Sequence, residues 1–141
     1  MGDTENHPES FVFLTWEELV ALQEAQLRLH GGQQGFSDQG VVRSVLNRAQ
    51  FTAQYNPEAD LADLAADYMF GLSTTQGFLD GNKRAALAAA STFLRMNGYQ
   101  FIITEKLMYL VAIAVARGEL DRDGLAEILR THIEPREEEP S

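Results

Sequence analysis

Gln76-Gly77-Phe78-Leu79-Asp80-Gly81-Asn82-Lys83-Arg84 runs straight into Ala85–Asn97, an alanine-rich stretch that reads as a helix. The order of residue types is that of a phosphate site. A helix N-terminus offers N–H groups without intrahelical partners and the positive end of the dipole. Gly81 lets the backbone fold such N–H groups into a concave nest for an anion. Lys83 supplies a point charge and Arg84 a planar fork for phosphate oxygens. Asp80 is a hard oxygen ligand of the kind that shares a magnesium ion with phosphates. Asn82 can donate to a phosphate oxygen or cap the helix. Asp-Gly and Gly-Asn are also ordinary turn pairs, and Lys-Arg in a first helical turn is often plain solvated surface. Charge separates the two readings. Two cations at a helix N-terminus oppose the dipole, so an anion is expected to compensate them.

Phe78 to Arg84 resembles the signature of the Fic/Doc (Fido) family in its death-on-curing branch, His-x-Phe-x-Asp-(Gly/Ala)-Asn-Lys-Arg, and Lys83 marks that branch. Gly31–Gly40 and Phe93–Tyr99 also resemble family segments, so the likeness covers roughly residues 13–133. It implies an all-α Fido domain that moves a phosphate or nucleotidyl group from ATP to a hydroxyl of a protein such as a translation factor. On this resemblance Mg²⁺ sits on Asp80. The nucleotide phosphates lie over Phe78, Gly81, Asn82, Lys83 and Arg84, with the target hydroxyl near position 76. A small antitoxin is the implied partner, its disordered tail folding along a groove near the site. The chain departs from the pattern at its centre: the catalytic His falls on Gln76. Lesser departures are Ala85, where the family commonly has Thr, and Gln23, where the first helix often carries His.

A chain of 141 residues with 45% hydrophobic content makes one domain with one core. There are no cysteines, which excludes disulfides, thiolate catalysis and Cys-type zinc sites. The longest apolar run, Leu107 to Ala116, is ten residues and too short to span a bilayer. The N-terminus lacks a signal-peptide layout, so a cytoplasmic, membrane-free protein is expected. The net charge is −10; residues 1–10 and 134–141 carry −3 each, which leaves −4 on the body. Both ends read as disordered acidic tails around a domain of residues 11–133. The acidic body argues against nucleic acid as a partner, since such binding needs basic patches. Lys83-Arg84 inside a negative field suits a small anion.

The helices follow from short-range signals. Thr15-Trp16-Glu17-Glu18 is a capping box opening a helix to about Leu29, with Gln23 on the edge of its apolar face. Gln23 reads as an ordinary polar position or as a substrate contact. His30 ends that helix, where the dipole favours it. Asp38 caps a second helix, Gln39 to about Ala49. The resemblance makes Gln50–Pro57 a flap beside the site with Phe51 and Tyr55 as its aromatic contacts; the residues alone read equally as aromatics anchoring a loop on the core. A third helix from Glu58 or Asp60 delivers the chain to Gln76. The alanine-rich helix 83–97 follows as the central one, ended by Gly98. Tyr99–Ile103 reads as an extended link, Thr104 caps a helix to about Arg117, and Asp121 caps one to about His132. No strand pair is expected. The fold class is all-α, about six helices around 83–97.

Position 76 decides the chemistry. A His there would accept the hydroxyl proton as phosphorus is attacked, whereas a Gln amide has no basic site at neutral pH and can only orient the hydroxyl. Three readings stay open: a transferase slowed by Gln76, a pseudoenzyme that binds nucleotide or protein, and a purely structural interaction module.

Overall fold

The computed structural model describes residues 11–32, 38–75 and 82–137. Among these it has six helices: α1 (Trp16–His30), α2 (Gln39–Tyr55), α3 (Leu61–Thr74), α4 (Asn82–Met96), α5 (Glu105–Ala116) and α6 (Arg122–Arg130). Two short strands, β1 (Tyr99–Phe101) and β2 (Ile133–Pro135), complete it. The domain is all-α, as expected. The acidic segment 1–10 lies outside the described residues.

Helix starts sit where the side chains put them. Thr15 Oγ1 accepts from the Glu18 amide at 3.1 Å, and Glu18 Oε1 accepts from the Thr15 amide at 2.9 Å, a closed capping box. Asp60 and Asp63 make a second reciprocal box at the head of α3, at 3.0 and 3.1 Å. Asp38, Thr104 and Asp121 cap α2, α5 and α6. Gly31 and Gly98, at φ +81° and +84°, turn the chain after α1 and α4 in the left-handed half of the map that glycine tolerates.

The core is built on α3 and α4. Ala85, Ala86, Ala89 and Ala90 are fully buried, and these short side chains let neighbouring helices come close. α3 is the most enclosed element: Leu64, Ala65, Tyr68, Met69 and Leu72 are all 0% exposed. The rings of Tyr68 and Phe93 meet at 5.0 Å between centroids, and Phe13 stacks on Phe93 at 6.1 Å. Tyr68 Oη accepts from the Leu14 amide at 3.1 Å. Asn97 holds the same entry segment like a strand edge, accepting from Val12 N at 2.8 Å and donating to Val12 O at 2.9 Å. Residues 11–14 are thereby fastened over the α3–α4 pair.

Four expectations need correcting. β1 and β2 pair antiparallel in the register Tyr99↔Pro135, Gln100↔Glu134, Phe101↔Ile133, where no strand pair was expected. Each strand is three residues long, too short to display alternation. Glu134 and Pro135 therefore belong to the folded domain, and the Arg136 amide donates to Gly98 O at 2.8 Å, so an acidic tail cannot begin at 134. α2 runs on to Tyr55, so most of the expected flap is helix. Gln23 is 2% exposed, hence inside the core and not on its edge.

Gly71 on α3 lies against Val45 of α2. A Cβ there would fall 2.5 Å from Val45 Cγ1. Valine is stiff at χ1 and cannot swing aside. Gly71→Ala would gain up to about 1 kcal/mol of helix propensity, against an overpacking cost of about 1–3 kcal/mol. A net loss of about 1 kcal/mol is expected, read as a lowered urea midpoint at unchanged slope.

Candidate functional site

α3 ends at Thr74 and α4 begins at Asn82, so the motif spans the gap between the two central helices. Gln76, Phe78, Asp80 and Gly81 lie outside the described residues, as does the side chain of Asn82. What the structure gives is the frame around them. The Thr75 amide donates to Gly71 O at 3.0 Å and closes α3. α4 presents its first N–H groups to the motif, with Ala85 and Ala86 fully buried just behind them. A helix end backed by dry core feels less solvent screening, which strengthens the dipole there.

Lys83 and Arg84 are half-buried in the first turn of α4. Neighbours on a helix diverge by about 100°, so the pair read together in sequence points two ways in space. Arg84 is held by an aromatic ring and an imidazole. Its guanidinium carbon lies 4.4 Å above the Tyr109 ring of α5, and its Nη1 is 3.4 Å from His30 Nε2 at the end of α1. Among the described residues no carboxylate pairs with Arg84 or Lys83. Arg122 and Arg130 contrast with this, each bound to several carboxylates.

Arg84 also opens a groove of about 500 Å³. Its floor is the exposed side of α4, and its walls are α1 and the β1–α5 segment. Leu22 and Gln26 line one wall and Glu105 the other, with Ser91 on the floor and Arg95 at the far end. Eleven residues separate the two arginines, about 16 Å along a helix.

Phe51 and Tyr55 stack at 4.4 Å between centroids on the last turns of α2 and are 60% and 66% exposed. They do not anchor a loop on the core; they are a surface pair. Among the described residues no three His, Cys, Asp or Glu side chains cluster as metal ligands, and no helix is long and apolar enough to cross a membrane. The sequence reading did not find Tyr109. A tyrosine within the apolar run 107–116 carries no mark that separates it from core, and its partner Arg84 lies on another helix.

The model of the Fic/DOC family matches residues 13–94, which takes in α1 to α3, α4 as far as Leu94, and the motif between α3 and α4. The chain is 36% identical over 114 residues to the protein kinase doc of Escherichia phage P1, covering 81% of this chain and 90% of that protein. It is 40% identical over 72 residues to the toxin Doc of Mycolicibacterium smegmatis, covering 50% of this chain and 55% of that protein. On these matches the chain belongs to the Fic/DOC family, in its Doc branch.

Proposed function

We propose that this chain is a Doc-type transferase that moves a phosphoryl group from Mg-ATP to a hydroxyl of a protein, at a rate limited by Gln76. The observation that carries the reading is the pair of half-buried cations at the first turn of α4, for which no described carboxylate compensates. Cations so placed oppose the helix dipole and lower the local free energy only when an anion joins them. The 36% identity to a relative named as a protein kinase supplies the reaction class. Phosphoryl transfer suits such a frame, because positioning and charge stabilisation contribute most of its catalysis.

In this mechanism the N–H groups at the head of α4, which lack intrahelical partners, hold the phosphate oxygens together with Lys83 and Arg84. Asp80 has the donor chemistry for Mg²⁺, which when bound supplies charge neutralisation between the terminal phosphates. Gln76 orients the acceptor hydroxyl, whose oxygen attacks the γ-phosphorus while the bond to the β,γ-bridging oxygen breaks. The hydroxyl proton passes to water, since Gln76 cannot take it. A nucleotidyl group would differ only in which phosphorus is attacked. A protein acceptor such as a translation factor belongs to this reading, as does a cytoplasmic setting. So does a small antitoxin whose tail lies in the groove along α4 and reaches Arg84.

The second reading is a pseudoenzyme that binds nucleotide without transfer, and Gln76 at the motif's base position favours it. Calorimetric titration of Mg-ATP tests what both share. Binding is expected, and Lys83→Ala and Arg84→Ala are each expected to weaken it tenfold or more. No heat at millimolar Mg-ATP would remove both readings and leave an interaction module.

A further inference from the structure

We infer that Tyr109 and His30 are positioning residues for Arg84, fixing its guanidinium as a rigid anion receptor at the head of α4 that no carboxylate among the described residues neutralises. The inference rests on the phosphate reading of that helix end. It starts from a contrast between arginines. Arg122 is bound to Asp63, Asp67 and Asp123, and Arg130 to Asp60, Asp63 and Glu127, so their charge is already compensated. Arg84 is held instead by a ring face at 4.4 Å and an imidazole nitrogen at 3.4 Å, with no carboxylate on it among the described residues. Arg43 also stacks on a ring, that of Trp16 at 4.1 Å, yet its side chain is exposed.

The geometry has a physical purpose. A free arginine loses rotamer entropy when it clamps an anion; one already fixed in its bound plane does not. A carboxylate partner would fix it too, but would compete with the incoming phosphate. An aromatic face and the C-terminal end of α1 stabilise the cation by quadrupole and dipole, and no carboxylate among the described residues occupies its N–H fork. Side chains of a helix lean toward its N-terminus, so Arg84 leans over the turn whose N–H groups have no intrahelical partner. Three elements distant in sequence, α1, α4 and α5, meet at this one side chain.

The test is a double-mutant cycle read as Mg-ATP dissociation constants on the full chain, with thermal melts to confirm that each variant is folded. Tyr109→Leu is expected to weaken binding about five- to tenfold. Tyr109→Phe keeps the ring and is expected to bind within about twofold of the parent. His30→Ala is expected to cost less than Tyr109→Leu. In the Arg84→Ala background, Tyr109→Leu is expected to cost nothing further, because its role is exercised through that arginine. Equal binding by Tyr109→Leu and the parent, or the same loss with and without Arg84, would overturn the inference and leave the phosphate site standing. A parent protein that binds no Mg-ATP overturns both, and is recognised by the failure of the unmutated chain.

Discussion

Gln76→His is expected to raise phosphoryl transfer by about 10²- to 10⁴-fold, the usual contribution of a positioned general base. When the acceptor oxygen bonds to phosphorus, its proton must leave, and an amide offers no site of useful basicity at neutral pH. An imidazole does. The gain is bounded because the transition state is loose and the hydroxyl proton leaves late, so the frame of N–H groups and cations keeps residual catalysis without a base. The measurement is incorporation of label from γ-labelled ATP into protein in a bacterial cell-free translation extract. It compares the parent, Gln76→His, and Gln76→His combined with Lys83→Ala. A sharp rise that Lys83→Ala abolishes would place the chemistry in this motif. An unchanged, undetectable rate in a variant that still binds Mg-ATP would sink the transferase reading and favour the pseudoenzyme.

Legibility in the sequence followed the range of the interactions. Caps act over three residues, so Thr15 with Glu18, Asp38, Thr104 and Asp121 announced their helices and the structure places each cap there. α2 was read short because Gln50–Tyr55 has no apolar period strong enough to extend a helix, and its rings face solvent. The β1–β2 pair was invisible because its partners lie more than thirty residues apart and each contributes three residues. The motif was legible as chemistry, but its loop lies outside the described residues, so only the helix ends that flank it in the chain are described. What no sequence pattern could give is the divergence of Lys83 from Arg84 and the meeting of Arg84 with His30 and Tyr109. Those contacts join positions 54 and 25 apart in the chain and depend on how three helices pack.

That packing has its own weak point, and Arg122→Ala is expected to lower stability by about 3 kcal/mol. Asp60, Asp63 and Asp67 lie on one side of α3, and Arg122 and Arg130 of α6 answer them. The two arginines are not equivalent. Arg122 Nε donates to Asp67 Oδ1 at 2.8 Å and its Nη2 donates to Asp63 O at 2.9 Å, on the inner side of the helix pair. Asp67 is 5% exposed, and its second oxygen has no hydrogen-bond partner among the described residues. Truncating Arg122 therefore leaves a buried carboxylate without its cation, the case in which breaking a pair costs most. Arg130 binds Asp60 and Glu127 nearer solvent, and Arg130→Ala is expected to cost about 1 kcal/mol or less. Burial alone would raise the Asp60 carboxyl, but hydrogen bonds from the Arg130 guanidinium and the Asp63 amide, with the Arg130 charge, outweigh it and bring it to about 2. Its folded-state value thus lies below the ordinary one, so its contribution is present above the usual carboxyl range and fades as pH falls through about 2. Urea unfolding of the two variants at neutral pH checks the ranking. Equal losses would mean that the inner pair is solvated in solution. A double replacement, Arg122→Met with Asp67→Leu, should recover most of the loss, because an apolar pair of similar volume leaves no orphaned charge. The clamp bears on function through α3, the helix that carries the chain to position 76. If it loosens, the motif loses the fixed end from which α4 is entered, and nucleotide affinity should fall along with stability.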